Sequence, residues 1–391
     1  MFSNLTIQYC CIRCTLILSI SSIFFSSCNE KPPHVLTQEK DVHINFPEQK
    51  ENIWSHSNYI LLENGHEYLA CISSKTKNIN IINIENNVVE YTIPLTTIDS
   101  IFDFTHYHPK FYIHNLDSIF ILPDESKTLI LINRKGNQLN KWSINLNYKY
   151  DYVLSGFNSS PIFYYKNRIY VRFVPKVSPF RQGTEYFKYL PEIAINIKNT
   201  DDYINRTGGW PEKYLKENYY DDYPSRCIID NDNSETEVYS FAADHDIYIY
   251  NNGTLIKKAS AKSDSIENFE KYADDSIGNI AYTMKYLITA PRYGMIYYDK
   301  YRKLFFRIAF HKTNYVNKDG TTIKRSLDQP WSIIVLNEKF EKISELNFDP
   351  SIFAYGPIYI IKDGLLISKR KPENITDENY SRNFVLFKVN L

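Results

Sequence analysis

The stretch Asp117–Ile144, DSIFILPDESKTLILINRKGNQLNKWSI, most constrains the fold. An apolar run, Ile119–Leu122, meets the turn-forming residues Pro123–Lys127. A second run, Thr128–Ile132, meets a turn at Asn133–Asn137 built around Gly136. A third short run carries Leu139, Trp142 and Ile144. Apolar runs punctuated in this way read as a three-strand meander, with glycine supplying the positive φ of a tight hairpin. One meander cannot bury both of its faces, so it needs neighbours. Comparable runs recur as INIINIEN, NRIYVRFV, DIYIYNNGTLI and LFFRIAF. That recurrence predicts an all-β fold, a β-propeller of about six blades forming a single closed domain, with five or seven blades left open by the count.

Composition supports this reading. The chain holds 33 Tyr and 23 Phe, residues that favour strands, and its 43% hydrophobic content suffices for a core. With only 12 Gly, Asn and Asp must make many of the turns, as at Ile84–Asn87 and Asn251–Gly253. The charges balance at 45 against 45, which gives no global field to attract nucleic acid, and basic and aromatic residues form no stripe.

The expected blades run as follows. The first holds strands at Tyr59–Leu69, Asn78–Ile84 and Val88–Ile93, and Asp117–Ile144 is the second. The third opens at Pro161–Val174 and includes Ile193–Ile197; SPFRQGTEYFKY is an excursion from its edge. Thr200–Arg226 breaks the pattern as a long loop with a helical turn near Glu212–Glu217. The fourth blade is Glu237–Ala261, and Ser265–Tyr282 has helical potential. Tyr293–Asp299, Lys303–Phe310, Trp331–Leu336 and Lys342–Phe348 make the fifth. Ile358–Ile361, Leu365–Ser368 and Phe384–Val389 make the last. An open ring would expose strand edges, so an N-terminal strand at Val42–Phe46 is expected to pair beside the last blade.

The N-terminus reads as a targeting segment. Arg13 is followed by the apolar run Leu16–Phe25, too short to span a bilayer, and then by Ser26, Ser27 and Cys28. FSSC resembles a bacterial lipobox with Phe25 in place of the usual Leu. The resemblance implies cleavage before Cys28 and a lipid on its thiol; the other reading is an ordinary signal peptide with a chance cysteine. Residues 1–27 are then a lipoprotein signal peptide, 28–50 a tether containing the closing strand, and 51–391 the propeller. The expected location is the bacterial cell envelope, lipid-anchored on the periplasmic or cell-surface side of a membrane. Cys10, Cys11 and Cys14 fall in the leader, where metal ligation has no use. Cys71 and Cys227 either pair or are buried separately as small hydrophobes.

The segments APRYGMIYYDKYRKLFFRIAF (Ala290–Phe310), NLDSIFIL (Asn115–Leu122) and VYSFAADHDIYIY (Val238–Tyr250) resemble an uncharacterised family of Bacteroides-type lipoproteins. The resemblance extends from about Ile44 onward and implies a TolB-like six-bladed β-propeller domain. It implies no activity.

Arginines recur in or after apolar strands: Arg172 in IYVRF, Arg307 in LFFRIAF, and Lys369 with Arg370 closing LLISKRK. Alternation sets Arg172 on the face of Tyr170 and Arg307 on the face of Phe305. If these strands are innermost, the cations line the central channel and receive an anionic or hydroxylated ligand. The other reading is a packed arginine paired between blades. His106, His108, His245 and His311 are scattered, and the DHD triplet at 244–246 splits its carboxylates from its imidazole if extended, so no metal is expected. Asp230–Glu237 lacks the sixth-position Gly and twelfth-position Glu of a calcium loop and reads as a solvated turn. No nucleophile elbow, P-loop or dinucleotide fingerprint is present, so no cofactor is expected. Asp-Ser-Ile recurs at Asp99, Asp117, Asp264 and Asp275. It resembles the O-glycosylation acceptor of exported Bacteroides-type proteins, with Ser265 and Ser276 better placed than Ser100 or the strand-opening Ser118; the alternative is local capping and turn chemistry.

The expected function is a non-catalytic binding or scaffolding module, anchored in the membrane by its lipid, for a protein or glycan partner in the envelope. The alternative is an enzyme acting on a glycan or other envelope polymer at the channel mouth, with carboxylates drawn from different blades.

Overall fold

The computed structural model describes residues 35–46, 57–73, 76–96, 98, 109–123, 126–147, 151–156, 160–175, 183–189, 191–205, 209–219, 224–231, 234–316, 320, 326–370 and 381–390. Six small antiparallel sheets form a ring, a six-bladed β-propeller. Strand β1 (Leu36–Asn45) belongs to the last sheet. Blade one is β2 (Ser57–Leu61), β3 (Glu67–Ser73), β4 (Asn78–Asn83) and β5 (Val88–Pro94). Blade two is β6 (Lys110–Asn115), β7 (Ser118–Leu122), β8 (Thr128–Ile132) and β9 (Gln138–Ser143). Blade three holds β10 (Tyr152–Ser155), β11 (Phe163–Tyr165), β12 (Arg168–Pro175), β13 (Glu192–Asn196) and β14 (Tyr203–Asn205). Helix α1 (Glu212–Lys216) precedes blade four: β15 (Ser225–Asn231), β16 (Ser234–Ser240), β17 (Asp246–Asn251) and β18 (Thr254–Ser260). Helix α2 (Ile280–Thr289) precedes blade five: β19 (Arg292–Asp299), β20 (Leu304–Phe310), β21 (Trp331–Leu336) and β22 (Lys342–Phe348). Blade six is β23 (Phe353–Ile361), β24 (Gly364–Lys369) and β25 (Ser381–Val389), completed by β1.

The burial of each strand follows from its place in the blade. Every sheet is sandwiched between two others, so its middle strands are covered on both faces and read as unbroken apolar runs. All of LFFRIAF in β20 and WSIIVL in β21 is buried. Fourth strands face solvent: β9 and β18 are almost entirely exposed. The cores lie between blades. Ile79, Ile81 and Ile93 of blade one meet Phe111, Ile119 and Ile121 of blade two. First strands of neighbouring blades touch one another, β15 with β19 and β2 with β23, which places them nearest the axis.

Ring closure joins the two ends of the chain. β1 pairs antiparallel with β25 from Leu36 opposite Val389 to Asn45 opposite Ser381, so the propeller unit spans Leu36–Val389 and the expected Val42–Phe46 strand is the end of a ten-residue one that begins six residues earlier and stops at Asn45.

The structure corrects several sequence expectations. Tyr59–Leu69 is two strands, because Gly65 at φ +80° turns the chain between β2 and β3. β6 and β15 were not anticipated; β15 takes up the end of the expected 200–226 loop and pairs with β16 from Ser225 opposite Ser240 to Asn231 opposite Ser234, so both ends of the acidic DNDNSETE segment lie in paired strands. The helix expected in Ser265–Tyr282 begins later. It starts where the Asn279 side chain accepts the Tyr282 N–H, just after Gly278 at φ +87°. Among the described residues no helix is long and apolar enough to cross a membrane.

Candidate interaction face

Antiparallel order divides the connections between two ends of the ring. Turns joining first to second strands and third to fourth strands open at one end. Links joining second to third strands, and each blade to the next, open at the other. At the turn end the connections are tight, as at 133–137, 252–253, 300–303 and 362–363. The four longest connections, 176–191, 206–224, 261–291 and 311–330, join strands at the link end of blades three to five, and 95–109 between blades one and two is one residue shorter than the first of them. Long connections on a rigid scaffold are where binding surfaces are usually built.

Aromatic side chains weld these links into a cap. Tyr186 and Phe187 of the first segment, Trp210, Tyr214 and Tyr219 of the second, and Phe241 and Tyr248 of blade four form one buried cluster. Phe187 meets Trp210 and Tyr214 edge-on, at 4.9 and 5.0 Å between ring centroids. The hydroxyl of Tyr214 accepts the Ala243 N–H at 2.7 Å, so the ring bonds at its polar end as well. Tyr272 N donates to Asn218 O at 2.8 Å. The Tyr286 hydroxyl of α2 meets two carbonyls, Tyr219 at 3.0 Å and Glu270 at 2.7 Å. Lys271–Glu217 and Lys312–Glu270 add exposed ion pairs between segments.

Helix α2 turns Thr283 and Tyr286 inward and leaves Ile280 75% and Met284 51% exposed. Two apolar side chains one helical turn apart thus stand outward on the cap. Beneath it, Lys213 extends over the rings of Tyr219 and Phe269 at 5.0 and 4.9 Å, and burial lowers its ammonium below the ordinary lysine value despite Asp244 and Glu217 nearby.

Arg172 and Arg307 occupy equivalent elements, the second strands of blades three and five, and both are fully buried. They do not lie on the innermost strands. The strands preceding them, β10 with β11 and β19, take that place. Arg307 bonds into the seam with blade four. Its Nε donates to Ser240 Oγ at 2.8 Å, Nη1 to the carbonyls of His245 and Ala261 at 2.8 and 3.1 Å, and Nη2 to those of Asp244 and Phe241 at 2.6 and 3.3 Å. Arg370 lies at the end of blade six, with Nη2 2.5 Å from Asp328 Oδ1 and Nη1 donating to Pro350 O at 2.9 Å.

Arg172 stands opposite Ser155 on one side and Glu192 on the other. This is where the first strand of blade three is broken between β10 and β11, and a buried polar cluster fills the break. Glu192 Oε1 accepts from Ser160 Oγ at 2.8 Å and Arg226 Nε at 2.9 Å, and Oε2 accepts from the Tyr239 hydroxyl. Arg226 Nη2 donates to Pro161 O at 2.8 Å. Burial together with Glu192 and Glu237 pushes the Tyr239 hydroxyl well above its ordinary pKa. Sequence reading missed Glu192, Arg226 and Tyr239, because their convergence crosses a blade boundary.

The remaining candidates are spread. Cys28, His106 and His108 lie outside the described residues. Cys71 and Cys227 are unbonded to each other, Cys71 in the core between blades six and one and Cys227 on β15. His245 meets the Tyr293 hydroxyl at 2.7 Å and His311 meets Ser332 Oγ at 2.9 Å. Among the described residues no three His, Cys, Asp or Glu converge as a metal site. Ser265 is exposed in the link to blade five, its N–H donated to Ser263 Oγ at 3.1 Å. Ser276 is half-buried in a 3-10 turn and donates to Asp275 Oδ1 at 3.3 Å.

Comparison with known proteins agrees with this architecture. No curated protein matches the chain. A crystal structure from Bacteroides vulgatus, described as a member of the DUF4221 family, superposes with a TM-score of 0.72 at 21% identity, covering 90% of this chain and 97% of its own. A Bacteroides fragilis protein provisionally described as exported gives 0.51 at 10% identity, covering 94% and 98%. The model of the domain of unknown function DUF4221 matches residues 34–347, and the chain belongs to that family.

Proposed function

We propose that this protein is a binding propeller of the bacterial cell envelope, held to a membrane by lipid on Cys28, that engages a protein or glycan partner with its link end. The observation that carries the reading is the asymmetry of the ring. One end is trimmed to tight turns, while the other carries the long segments of blades three to five under an aromatic cap. The exposed Ile280 and Met284 give that cap an apolar contact point on a rigid helix. The exported relative agrees with an envelope location. Exposed Ser265 is the better acceptor for an O-linked sugar, and the intact mass of Ser265→Ala against the parent chain tests that assignment.

Photo-crosslinkers placed singly at Met284 and Lys285 on the cap, and at Lys135 on the turn end, test the binding reading in cells. Discrete partner or glycan adducts should form from the cap positions alone. Equal adducts from Lys135 would remove the link end as the binding face. Palmitate labelling tests the anchor: labelling that persists in Cys28→Ala would remove it.

A further inference from the structure

We propose that the axis of the ring is an open channel with an uncharged, aromatic wall, and that this channel binds an uncharged saccharide. The inference rests on the reading of a binding propeller, and it names a site and a ligand class for it. Exposure of the first strands carries it. These are the innermost strands, yet Tyr59 on β2, Tyr112 on β6, Phe163 on β11, Cys227 on β15 and Tyr297 on β19 are all half-exposed. The second strands just outside them, β3, β7, β20 and β24, are buried along almost their whole length. Solvent therefore reaches the first strands along the axis and not through the blades. Cys227 and Tyr297 make the same point in another way. Burial pushes the thiol and the hydroxyl well above their ordinary values, although both residues still touch solvent. Groups set deep in the molecule that remain accessible line an internal opening.

The chemistry of the wall sets the ligand class. Among the described residues, Asn, Tyr, Phe, Ile, Met and Cys supply the half-exposed side chains of the first strands, apart from Arg292 at the start of β19. Arg292 stacks on Phe310 and donates to Gln329 Oε1 at 2.6 Å. Arg226 is turned into the seam with blade three, where it bonds Glu192 and Pro161. A charged ligand would thus enter the channel without a counter-charge, which disfavours it. Two neutral groups keep bonding capacity. The Tyr297 hydroxyl donates to the Met295 thioether at 3.1 Å, a weak acceptor. The Asn58 amide gives an N–H to Phe111 O at 3.1 Å and keeps its own carbonyl oxygen. A purely apolar ligand would strip water from both groups and return nothing. Aromatic rings with a few neutral donors and acceptors match a sugar, which offers C–H faces to the rings and hydroxyls to the polar groups.

Hydroxyl-radical footprinting of the full-length protein tests the channel, and a glycan array tests its ligand. Tyr112, Phe163 and Tyr297 should be oxidised several-fold faster than Tyr68 and Phe306, which are fully buried. Tyr297 as inert as Tyr68 would overturn the channel. On the array, neutral oligosaccharides should bind and acidic ones should not. The best-bound neutral oligosaccharide should protect Tyr112 and Tyr297 from oxidation, and Tyr297→Phe should weaken its binding about three- to tenfold. Binding of no neutral glycan, a preference for acidic ones, or protection confined to the cap with Tyr297→Phe silent would each overturn the saccharide site. Cap cross-links to a partner that persist alongside any of these results would sink this proposal and leave the link-end reading intact, so the two fail separately.

Discussion

The guanidinium carbon of Arg307 lies 3.5 Å from the centroid of the Tyr293 ring, and the Tyr293 hydroxyl accepts the Ser263 N–H at 2.9 Å and meets His245 Nδ1 at 2.7 Å. One stacked pair therefore ties β20, β19, the second-to-third-strand link of blade four and the start of the cap. Burial lowers the Arg307 pKa to about 10, yet the group remains a cation near neutral pH. The fork is filled by a hydroxyl and four carbonyls, which makes this arginine a rivet of the seam.

Arg307→Ala should therefore destabilise the propeller by about 3–5 kcal/mol, since it strands buried carbonyls as well as removing a charge. Arg307→Lys should recover only part, because an ammonium cannot span acceptors set for a planar fork or stack on Tyr293 in the same way. Urea unfolding midpoints measure both. A loss in Arg307→Ala below about 1 kcal/mol would show that the seam does not depend on these bonds.

The Glu192–Arg226 pair calls for a different measurement. Both side chains are 1% exposed, and Ser160 and Tyr239 share the carboxylate. Removing either ion alone, by Glu192→Gln or Arg226→Met, should cost about 3–5 kcal/mol by leaving the other buried without its counter-charge. The double variant should lose clearly less than the sum of the two. Strict additivity in the double-mutant cycle would mean that the two groups are energetically independent.

The contrast between these arginines shows what the sequence could reveal. Strand periodicity, punctuated by Asn, Asp and Gly, was enough to recognise a propeller of about six blades, because each middle strand is buried on both faces and therefore continuously apolar; the exact count of six came from the family resemblance. β6, KFYIHN, went unnoticed since Tyr112 is only half-buried and His114 is exposed, which interrupts the apolar signal. Arg172 and Arg307 stood out as charges inside apolar strands, but the groups that Arg307 bonds belong to another blade and its links. Arg307 bonds to atoms between residues 240 and 261, and no local spacing encodes that seam. The cap was legible only as separate breaks in the pattern, the excursion SPFRQGTEYFKY, the loop Thr200–Arg226 and the helical potential of Ser265–Tyr282; its aromatic packing depends on these links meeting at one end.

Glu345 should give the blade four to five seam an acid-sensitive component. Burial by itself would raise this carboxyl, but hydrogen bonds from Lys342, Ser263 and Ser332 and the Asp264 N–H hold it below its ordinary value near 4.5. A depressed carboxylate contributes stability above the unfolded-state value, and that contribution disappears as pH falls through the folded value. Glu345→Gln should thus be less stable than the parent at pH 7, with the gap closing below about pH 4. Thermal melts across this range check it. A gap that stays constant to low pH would assign the loss to packing instead of charge.

Gly136 offers a test in which backbone conformation and space can be separated. It sits at φ +76° in the β8–β9 turn, where Asn133 Oδ1 accepts the N–H groups of Lys135 and Asn137 at 3.0 and 3.1 Å. A Cβ at this position would lie 2.1 Å from the carbonyl oxygen of Pro94, at the end of blade one. Gly65 has a similar φ of +80° but nothing within 4 Å of its Cβ position. Gly65→Ala should cost only the left-handed backbone penalty, about 1 kcal/mol, and Gly65→Asn less, because Asn tolerates that conformation. At Gly136 the clash is with backbone from another blade, so relief requires the two blades to move apart. Gly136→Ala should cost about 2–4 kcal/mol, and Gly136→Asn should be no better, since relaxing the φ preference does nothing for the contact with Pro94. Unfolding midpoints for the four variants decide the matter: substantial rescue by Asn at position 136 would show that the turn conformation, and not the approach of two blades, is what this glycine protects.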